Sequence, residues 1–99
     1  MNIEVKETRD QVIVAVEGDI EMMTIKDFKE KLFDMGHNIQ KDIEIDLSKV
    51  DYIDSSGVGV LISLLKLQNK KGKKLKITKA SPKVLNVLRL SSLSDVFEM

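Results

Sequence analysis

Cysteine is absent from this sequence of 99 residues, which excludes disulfide bonds and thiolate chemistry and agrees with a reducing cytoplasm. An excess of one charge sign is also absent, because 16 lysines and arginines are balanced by 16 aspartates and glutamates. Nucleic-acid-binding domains usually carry a basic excess. Aromatic residues amount to 4% and leave few rings on which bases could stack. We therefore expect no direct nucleic-acid partner.

Long apolar runs are missing as well. The longest, GVGVLISLLKL (57–67), is too short and too soon interrupted by charge to span a bilayer. The amino-terminal stretch MNIEVKETRD lacks the apolar core of a signal peptide. With 42% apolar and 32% charged residues, the composition is that of an ordinary globular protein. We expect a soluble cytoplasmic protein without a membrane partner, folded as one domain over residues 1–99.

Strand and helix patterns alternate along the chain. Strand patterns occur around Ile3 and Val5 and in Val12–Gly18, Asp42–Leu47 and 74–80. A first helix is indicated after Thr24, a natural N-cap, by an apolar stripe of Ile25, Phe28, Leu32, Met35 and Ile39. A second helix is predicted from Gly57 to about Lys71, and a third begins with Ser81 as N-cap and Pro82 in the first helical position.

This order predicts the α/β class. The elements run β-β-α-β-α-β-α, with a further strand possible in the tail SDVFEM (94–99). Strands separated by helices favour parallel pairing, whereas the first two strands are close enough to form an antiparallel hairpin. We expect a single small domain with a mixed β-sheet of four to five strands covered by helices.

The stretch IDSSGVGVLI (53–62) places a carboxylate, two hydroxyls and two glycines at the start of the second helix. A catalytic serine needs a base, and the one histidine, His37, lies near the end of the first helix in a polar setting. The pattern G-x-S-x-G is absent. A serine–lysine pair stays open, although no spacing indicates one. These observations do not favour an enzyme.

A phosphate-binding loop is equally weakly supported. Gly57-Val58-Gly59 begins a G-x-G pattern, but Ile62 stands where a third glycine would complete the dinucleotide motif. No histidine, cysteine or carboxylate cluster has the spacing of metal ligands. We therefore expect no cofactor and no metal, and interpret the glycines as a tight turn from strand to helix.

Two roles remain for the serines of this stretch, helix capping and acceptance of a phosphoryl group. The same stretch could serve both. Asp54, Ser55 and Ser56 are each chemically suitable N-caps. A phosphoryl group on either serine would sit at the positive end of the helix dipole, where the fold tolerates it. It would add a charge of roughly −1.5 to −2 and could thereby abolish a contact with a partner.

The second helix has two apolar strips. We assign Val58, Leu61, Ile62 and Leu65 to the core-facing strip. A second strip contains Val60, Leu64 and Leu67. Either a neighbouring element covers this second strip, or it is a ridge that binds a partner.

The motif D-S-S-G-V-G-V-L (54–61), after the strand DIEIDLSKVDYI, resembles the bacterial anti-sigma factor antagonists of the STAS domain family (sulfate transporter and anti-sigma factor antagonist). Gly18-Asp19-Ile20-Glu21 with Thr24, and SPKVLNVLRLSSL (81–93), resemble further family segments. The resemblance implies a protein that is not an enzyme. Its unphosphorylated form would bind an anti-sigma factor serine kinase, which carries the ATP, and so release a sigma factor.

The resemblance also implies roles for individual residues. Phosphorylation of Ser55, directly after the aspartate, would end the binding, and a serine phosphatase would restore it. Asp54 would position the acceptor or the partner, and Ser56 would cap the helix. Partner contacts are expected from three apolar side chains, three flanking polar ones and two glycines that permit close approach: Val60, Leu64, Leu67, Asp19, Glu21, Thr24, Gly57 and Gly59. The alternative is a STAS adaptor or scaffold subunit of another signalling or transport complex.

Overall fold

Residues 1–90 are described by a computed structural model and form four strands and three helices. The strands are β1 (Asn2–Glu7), β2 (Gln11–Glu17), β3 (Asp42–Lys49) and β4 (Leu75–Ala80). The helices are α1 (Ile25–Asn38), α2 (Ser55–Lys70) and α3 (Pro82–Leu90). The predicted order of elements is thus confirmed, whereas the possible last strand at 94–99 lies outside the described residues.

The sheet has the strand order β1-β2-β3-β4. β1 pairs antiparallel with β2, and β2, β3 and β4 are parallel to one another, as predicted. Thr8 closes the hairpin: its backbone N–H donates to the carbonyl of Gln11 at 2.8 Å, and its Oγ1 accepts from the Gln11 N–H at 3.1 Å. The parallel pairs bring the carboxyl ends of β2 and β3 to the same edge.

The core lies on one face of this sheet. Val14, Ile45 and Ile77 are paired across the three parallel strands and are buried. The predicted α1 stripe packs into the same core through Phe28 and Leu32, which are fully buried. Within residues 1–90, no helix is both long and apolar enough to cross a membrane.

A buried polar side chain fixes the far end of α2. Gln68 is fully buried, and its Nε2 donates to the carbonyls of Lys41 at 3.0 Å and Lys74 at 2.9 Å. These carbonyls lie directly before β3 and β4. The amide nitrogen therefore ties α2 to the starts of two strands, because leaving a buried N–H donor without an acceptor costs free energy.

The face of α2 that points inward differs from the prediction. Val60 is 6% exposed and Leu64 is fully buried. Both were predicted to contact a partner. Burial of Leu64 against α1 contradicts that prediction for Leu64, whereas Val60 lines an open groove between α1 and α2 and its partner contact stays a prediction. Gly36 of α1 allows the close contact: a β-carbon there would lie 2.9 Å from Leu64 Cδ1 and 2.8 Å from Leu67 Cδ1. Leu67 is half-buried in this helix contact.

The predicted core strip is correspondingly only partly right. Leu61 is fully buried, but Val58, Ile62 and Leu65 are half-buried. The buried residues of α2 form its inward face, which includes a glycine and a glutamine: Gly57, Val60, Leu61, Leu64 and Gln68. It is rotated by roughly a quarter of a turn from the predicted strip, at 3.6 residues per turn.

The first turn of α2 lies directly against two core isoleucines. Gly57 is buried, and a β-carbon on it would lie 2.6 Å from Ile20 Cγ2 and 2.8 Å from Ile53 Cγ1. Gly57 thus serves packing within the protein, and its role in admitting a partner's backbone stays a prediction. Gly59 is exposed, and apart from its chain neighbours and the backbone of its own helix, no atom of residues 1–90 lies within 4 Å of an added β-carbon.

These two glycines generate a matched prediction. Gly57→Ala should lower the free energy of unfolding by about 1–3 kcal/mol, because the added methyl group overpacks a stiff, β-branched environment. Gly59→Ala should raise it by about 0.5–1 kcal/mol, since alanine favours helix and the site is open. Urea unfolding followed by circular dichroism measures both. Equal stability of the two variants would contradict the close packing of α2 on Ile20 and Ile53.

Candidate functional site

The candidate site lies where the segments after β2 and β3 meet the start of α2. Ile20 donates its backbone N–H to the Tyr52 carbonyl at 2.9 Å, and its own carbonyl accepts from the Asp54 N–H at 3.0 Å. Ile20 and Ile53 form a parallel β-bridge. The two segments therefore continue the sheet for one further step and hold the helix start in place.

Asp54 is the residue that joins these parts. It is the N-cap of α2, with an extended backbone, and its Oδ1 accepts from the N–H groups of Ser56 at 2.9 Å and Gly57 at 3.2 Å. Its Oδ2 accepts from the Met22 N–H at 3.0 Å. One carboxylate thus satisfies two donors at the helix start and one from the neighbouring loop, which otherwise lack partners.

The hydrogen bonds stabilise the ionised form of Asp54. The Ser56 hydroxyl, which donates to Oδ1, makes the largest contribution to lowering the pKa of the carboxyl from its usual value. Desolvation opposes this shift, and the N–H groups of Gly57, Met22 and Ser56 add to it. A full negative charge therefore faces the positive end of the α2 dipole at neutral pH.

The two serines have different environments. Ser56 is half-buried and its hydroxyl is engaged with Asp54, so Asp54 and not Ser56 is the cap. The prediction of Ser56 as cap is wrong because the carboxylate has the reach and charge to hold both N–H groups. Ser55 is exposed in the first position of α2, and its hydroxyl makes no hydrogen bond within residues 1–90. The structure thus leaves one of the two hydroxyls accessible and unengaged.

Thr24 fastens the neighbouring loop. It occupies the N-cap position of α1, as predicted, but its side chain makes no capping hydrogen bond. Its Oγ1 accepts from the Glu21 N–H at 3.1 Å and donates to the Asp19 carbonyl at 2.7 Å. Asp19 is exposed and Glu21 is half-buried. The hydroxyl therefore fixes the conformation of the segment that carries both acidic side chains.

Three exposed apolar side chains lie on the segments that form this site, and none of them was predicted from the sequence. Met22 is 75% exposed, Met23 is 87% exposed and Tyr52 is 54% exposed. Met22 lies on the loop bonded to Asp54, and Tyr52 lies two residues before Asp54. The available signal was two adjacent methionines outside the apolar stripe of α1, in the short connection between β2 and α1.

A groove between α1 and α2 continues from the site. It is lined by Ile25, Lys29, Phe33, Ser56, Gly59, Val60 and Ser63. The α2 residues at 56, 59 or 60, and 63 follow one another at about one helical turn, so the groove runs along the helix. Lys29 Nζ lies 5.6 Å from the centre of the Phe33 ring. The exposed Gly59 leaves the groove open on the α2 side.

Neither the histidine nor a metal-binding cluster is found at this site among residues 1–90. His37 is exposed and its Nδ1 lies 2.8 Å from the Phe33 carbonyl. It is 12 residues from the start of α1, about 18 Å along the helix, and thus at the end away from the Thr24 loop. Within residues 1–90, no group of three histidine, cysteine or carboxylate side chains could hold a metal ion.

The fold and motif define a known class. A family model described as "Mlab, STAS domain" matches residues 3–98, and the chain belongs to the STAS domain family. The curated relatives it resembles include the anti-sigma-B factor antagonist of Bacillus subtilis, which is 27% identical over 99 residues, covering 100% of this chain and 90% of the relative. The anti-sigma-B factor antagonist of Staphylococcus aureus is 28% identical over 101 residues, covering 100% and 94%.

Solved structures agree with this assignment. A candidate anti-sigma factor antagonist from Thermotoga maritima superposes with a TM-score of 0.85 at 28% identity, covering 95% of this chain and 81% of that one. The anti-sigma factor antagonist SpoIIAA from Bacillus, in its unphosphorylated form, shares the fold with a TM-score of 0.82 at 18% identity, covering 95% and 84%. The predicted family and fold are therefore confirmed.

The geometry of Asp54 generates a pH-dependent prediction. Asp54→Ala should lower the midpoint of thermal unfolding at neutral pH, because α2 and the Met22 loop lose their common acceptor. The depressed pKa means that the ionised carboxylate stabilises the fold above the ordinary value of 3.8, and that this contribution is lost as the pH falls through the depressed value. The difference in unfolding midpoint between wild type and Asp54→Ala should therefore become smaller in acid.

Asp51→Ala provides the matched control, since Asp51 is an exposed carboxylate three residues earlier. Thermal unfolding by circular dichroism across the acidic range measures all three proteins. A deficit for Asp54→Ala that is no larger than that of Asp51→Ala would contradict the role assigned to Asp54.

Proposed function

We propose that this STAS protein is an anti-sigma factor antagonist switched by phosphorylation of Ser55. Its unphosphorylated form binds an anti-sigma factor serine kinase in the cytoplasm and thereby releases a sigma factor. The observation that carries the proposal is the difference between the two adjacent serines. The Ser55 residue is exposed and its hydroxyl makes no hydrogen bond within residues 1–90, whereas the Ser56 hydroxyl is engaged with Asp54. The similarity to anti-sigma-B factor antagonists over the whole chain supports it.

The chain contributes a hydroxyl and a docking surface, and the kinase contributes the nucleotide. The Ser55 oxygen attacks the terminal phosphorus of the kinase's ATP, ADP leaves, and the hydroxyl proton is released. A serine phosphatase reverses the modification by hydrolysis. The chain thus acts by binding and needs no cofactor of its own.

The docking surface surrounds Ser55. Met22, Met23 and Tyr52 supply exposed apolar area, which is unusual when clustered on a small soluble protein. Asp19 and Glu21 supply carboxylates beside it and favour a partner with basic side chains at the matching positions. The groove between α1 and α2 extends this surface along the helices. This set replaces Leu64, which is fully buried, and retains Val60 only as part of the groove lining.

The switch follows from electrostatics. A phosphoryl group on Ser55 adds a charge of roughly −1.5 to −2 beside the ionised Asp54. Binding would then bury the phosphate and place it among carboxylates already directed at the partner, and like charges juxtaposed in an interface cost on the order of several kcal/mol. The fold itself persists, because Asp54 keeps the helix N–H groups and the Met22 loop satisfied. SpoIIAA, which shares the fold, is known in both an unphosphorylated and a phosphorylated form.

Substitution of the two serines tests the proposal. Ser55→Ala should bind the anti-sigma factor kinase as wild type does and accept no phosphate, whereas Ser56→Ala should still be phosphorylated at Ser55. Ser55→Asp should bind at least about tenfold more weakly, which corresponds to about 1.4 kcal/mol. Calorimetric titration with the kinase measures affinity, and mass spectrometry after incubation with kinase and ATP locates the phosphate.

Stoichiometric phosphorylation of Ser55→Ala would show that the acceptor lies elsewhere, with Ser56 the next residue to map. Equal affinity of phosphorylated and unphosphorylated protein for the kinase would contradict the switch. If the protein instead copurifies from its own cell with subunits of another signalling or transport complex and binds no such kinase, it is a STAS adaptor.

A further inference from the structure

We propose that Met22 and Met23 form an oxidation site whose modification ends partner binding independently of Ser55. The loss of binding rests on the function proposed above, whereas the oxidation itself depends only on the structure. The substrate is the methionine pair, and the reagent is a peroxide. Oxidation to the sulfoxide would make a second, reversible switch on the same docking surface.

Accessibility distinguishes these methionines from the two others within residues 1–90. Met22 and Met23 are 75% and 87% exposed, whereas Met35 is 3% exposed and packs in the core. Met1, at 40%, is intermediate. A peroxide must reach the sulfur atom, so Met22 and Met23 should react first and Met35 should react only after unfolding. Met35 therefore serves as an internal reference for the oxidation of a buried methionine.

The backbone of the pair is held at the candidate site. The Met22 N–H donates to Asp54 Oδ2 at 3.0 Å. Thr24, which follows the pair, uses its Oγ1 to accept from the Glu21 N–H and to donate to the Asp19 carbonyl, both in the segment before the pair. Asp54 in turn directly precedes Ser55. A change in the polarity of the Met22 and Met23 side chains consequently acts beside the phosphate acceptor.

The chemistry balances without a further reagent. A lone pair of the thioether sulfur attacks one oxygen of hydrogen peroxide, the O–O bond breaks, and a sulfur–oxygen bond forms as water leaves. The sulfur is oxidised by two electrons and the peroxide is reduced by two. Methionine sulfoxide reductases return the sulfoxide to the thioether.

The sulfoxide should alter binding and leave the fold intact. It converts a flexible apolar side chain, suited to adaptable interfaces, into a polar one. Burial of two such side chains against a partner would require their desolvation, so we expect affinity to fall by about tenfold or more. Because both side chains lie largely outside the core, the unfolding transition should not move.

The experiment uses the intact protein and its Met22→Leu/Met23→Leu double variant, which keeps apolar side chains that peroxide does not oxidise. Each is treated with hydrogen peroxide, the peroxide is removed with catalase, and peptide mass spectrometry quantifies oxidation at every methionine. Titration with the anti-sigma factor kinase follows. Met35→Leu is the matched control, and Ser55→Ala excludes phosphorylation as the cause.

We expect oxidation of wild type at Met22 and Met23 ahead of Met35, weaker binding at unchanged thermal stability, and recovery with sulfoxide reductase. The affinity of the double variant should not change on treatment, whatever its value beforehand, and Met35→Leu should lose binding as wild type does. The inference is overturned if Met35 reacts as fast as the pair or if oxidised wild type keeps its affinity. It is also overturned if treatment lowers the affinity of the double variant as much as that of wild type.

The two proposals fail in different ways. If untreated Ser55→Ala does not bind the kinase, the proposed function fails, and the binding consequence of oxidation fails with it. If untreated protein binds normally and the oxidised protein binds equally well, only the oxidation switch is refuted.

Discussion

The Asp54 carboxylate is the interaction on which the arrangement of the site depends. It accepts hydrogen bonds from the start of α2 and from the loop after β2, two parts of the chain that are 32 residues apart. Without this acceptor, several backbone donors at the junction would have to be satisfied by water. Its charge also faces the positive end of the α2 dipole, so the same group orients the helix and sets the local potential.

This arrangement separates structural from functional hydroxyls. Ser56 is committed to Asp54 and thus to the integrity of the helix start, whereas the neighbouring Ser55 contributes nothing to it within residues 1–90. A modification of Ser55 can therefore change what the surface binds while the fold stays as it is. The exposed methionines are a similar case, because the backbone of Met22 is hydrogen-bonded to Asp54 while the side chains of Met22 and Met23 are exposed to solvent.

Packing of α2 explains both the successes and the errors of prediction. Periodicity located the helix, but α2 is apolar around most of its circumference, so the sequence offered two strips of similar hydrophobicity. Two glycines decide which strip faces inward. Gly36 has no side chain and so leaves room for Leu64 and Leu67, and Gly57 likewise leaves room for Ile20 and Ile53. Such contacts join residues distant in sequence, and a pattern of local hydrophobicity contains no information about them.

The sequence by itself determined the order of strands and helices, the hairpin, the parallel sheet and the place of the D-S-S-G motif at a helix start. These follow from local periodicity and capping chemistry, which act over a few residues. Only the tertiary structure decided that Asp54 is the cap, that Ser55 is the accessible hydroxyl, that Val60 and Leu64 are buried, and that Met22 and Met23 stand beside the site. Each of these depends on contacts between α1, α2 and the two loops, and hydrogen-bond partners and solvent exposure are settled only when those elements pack together.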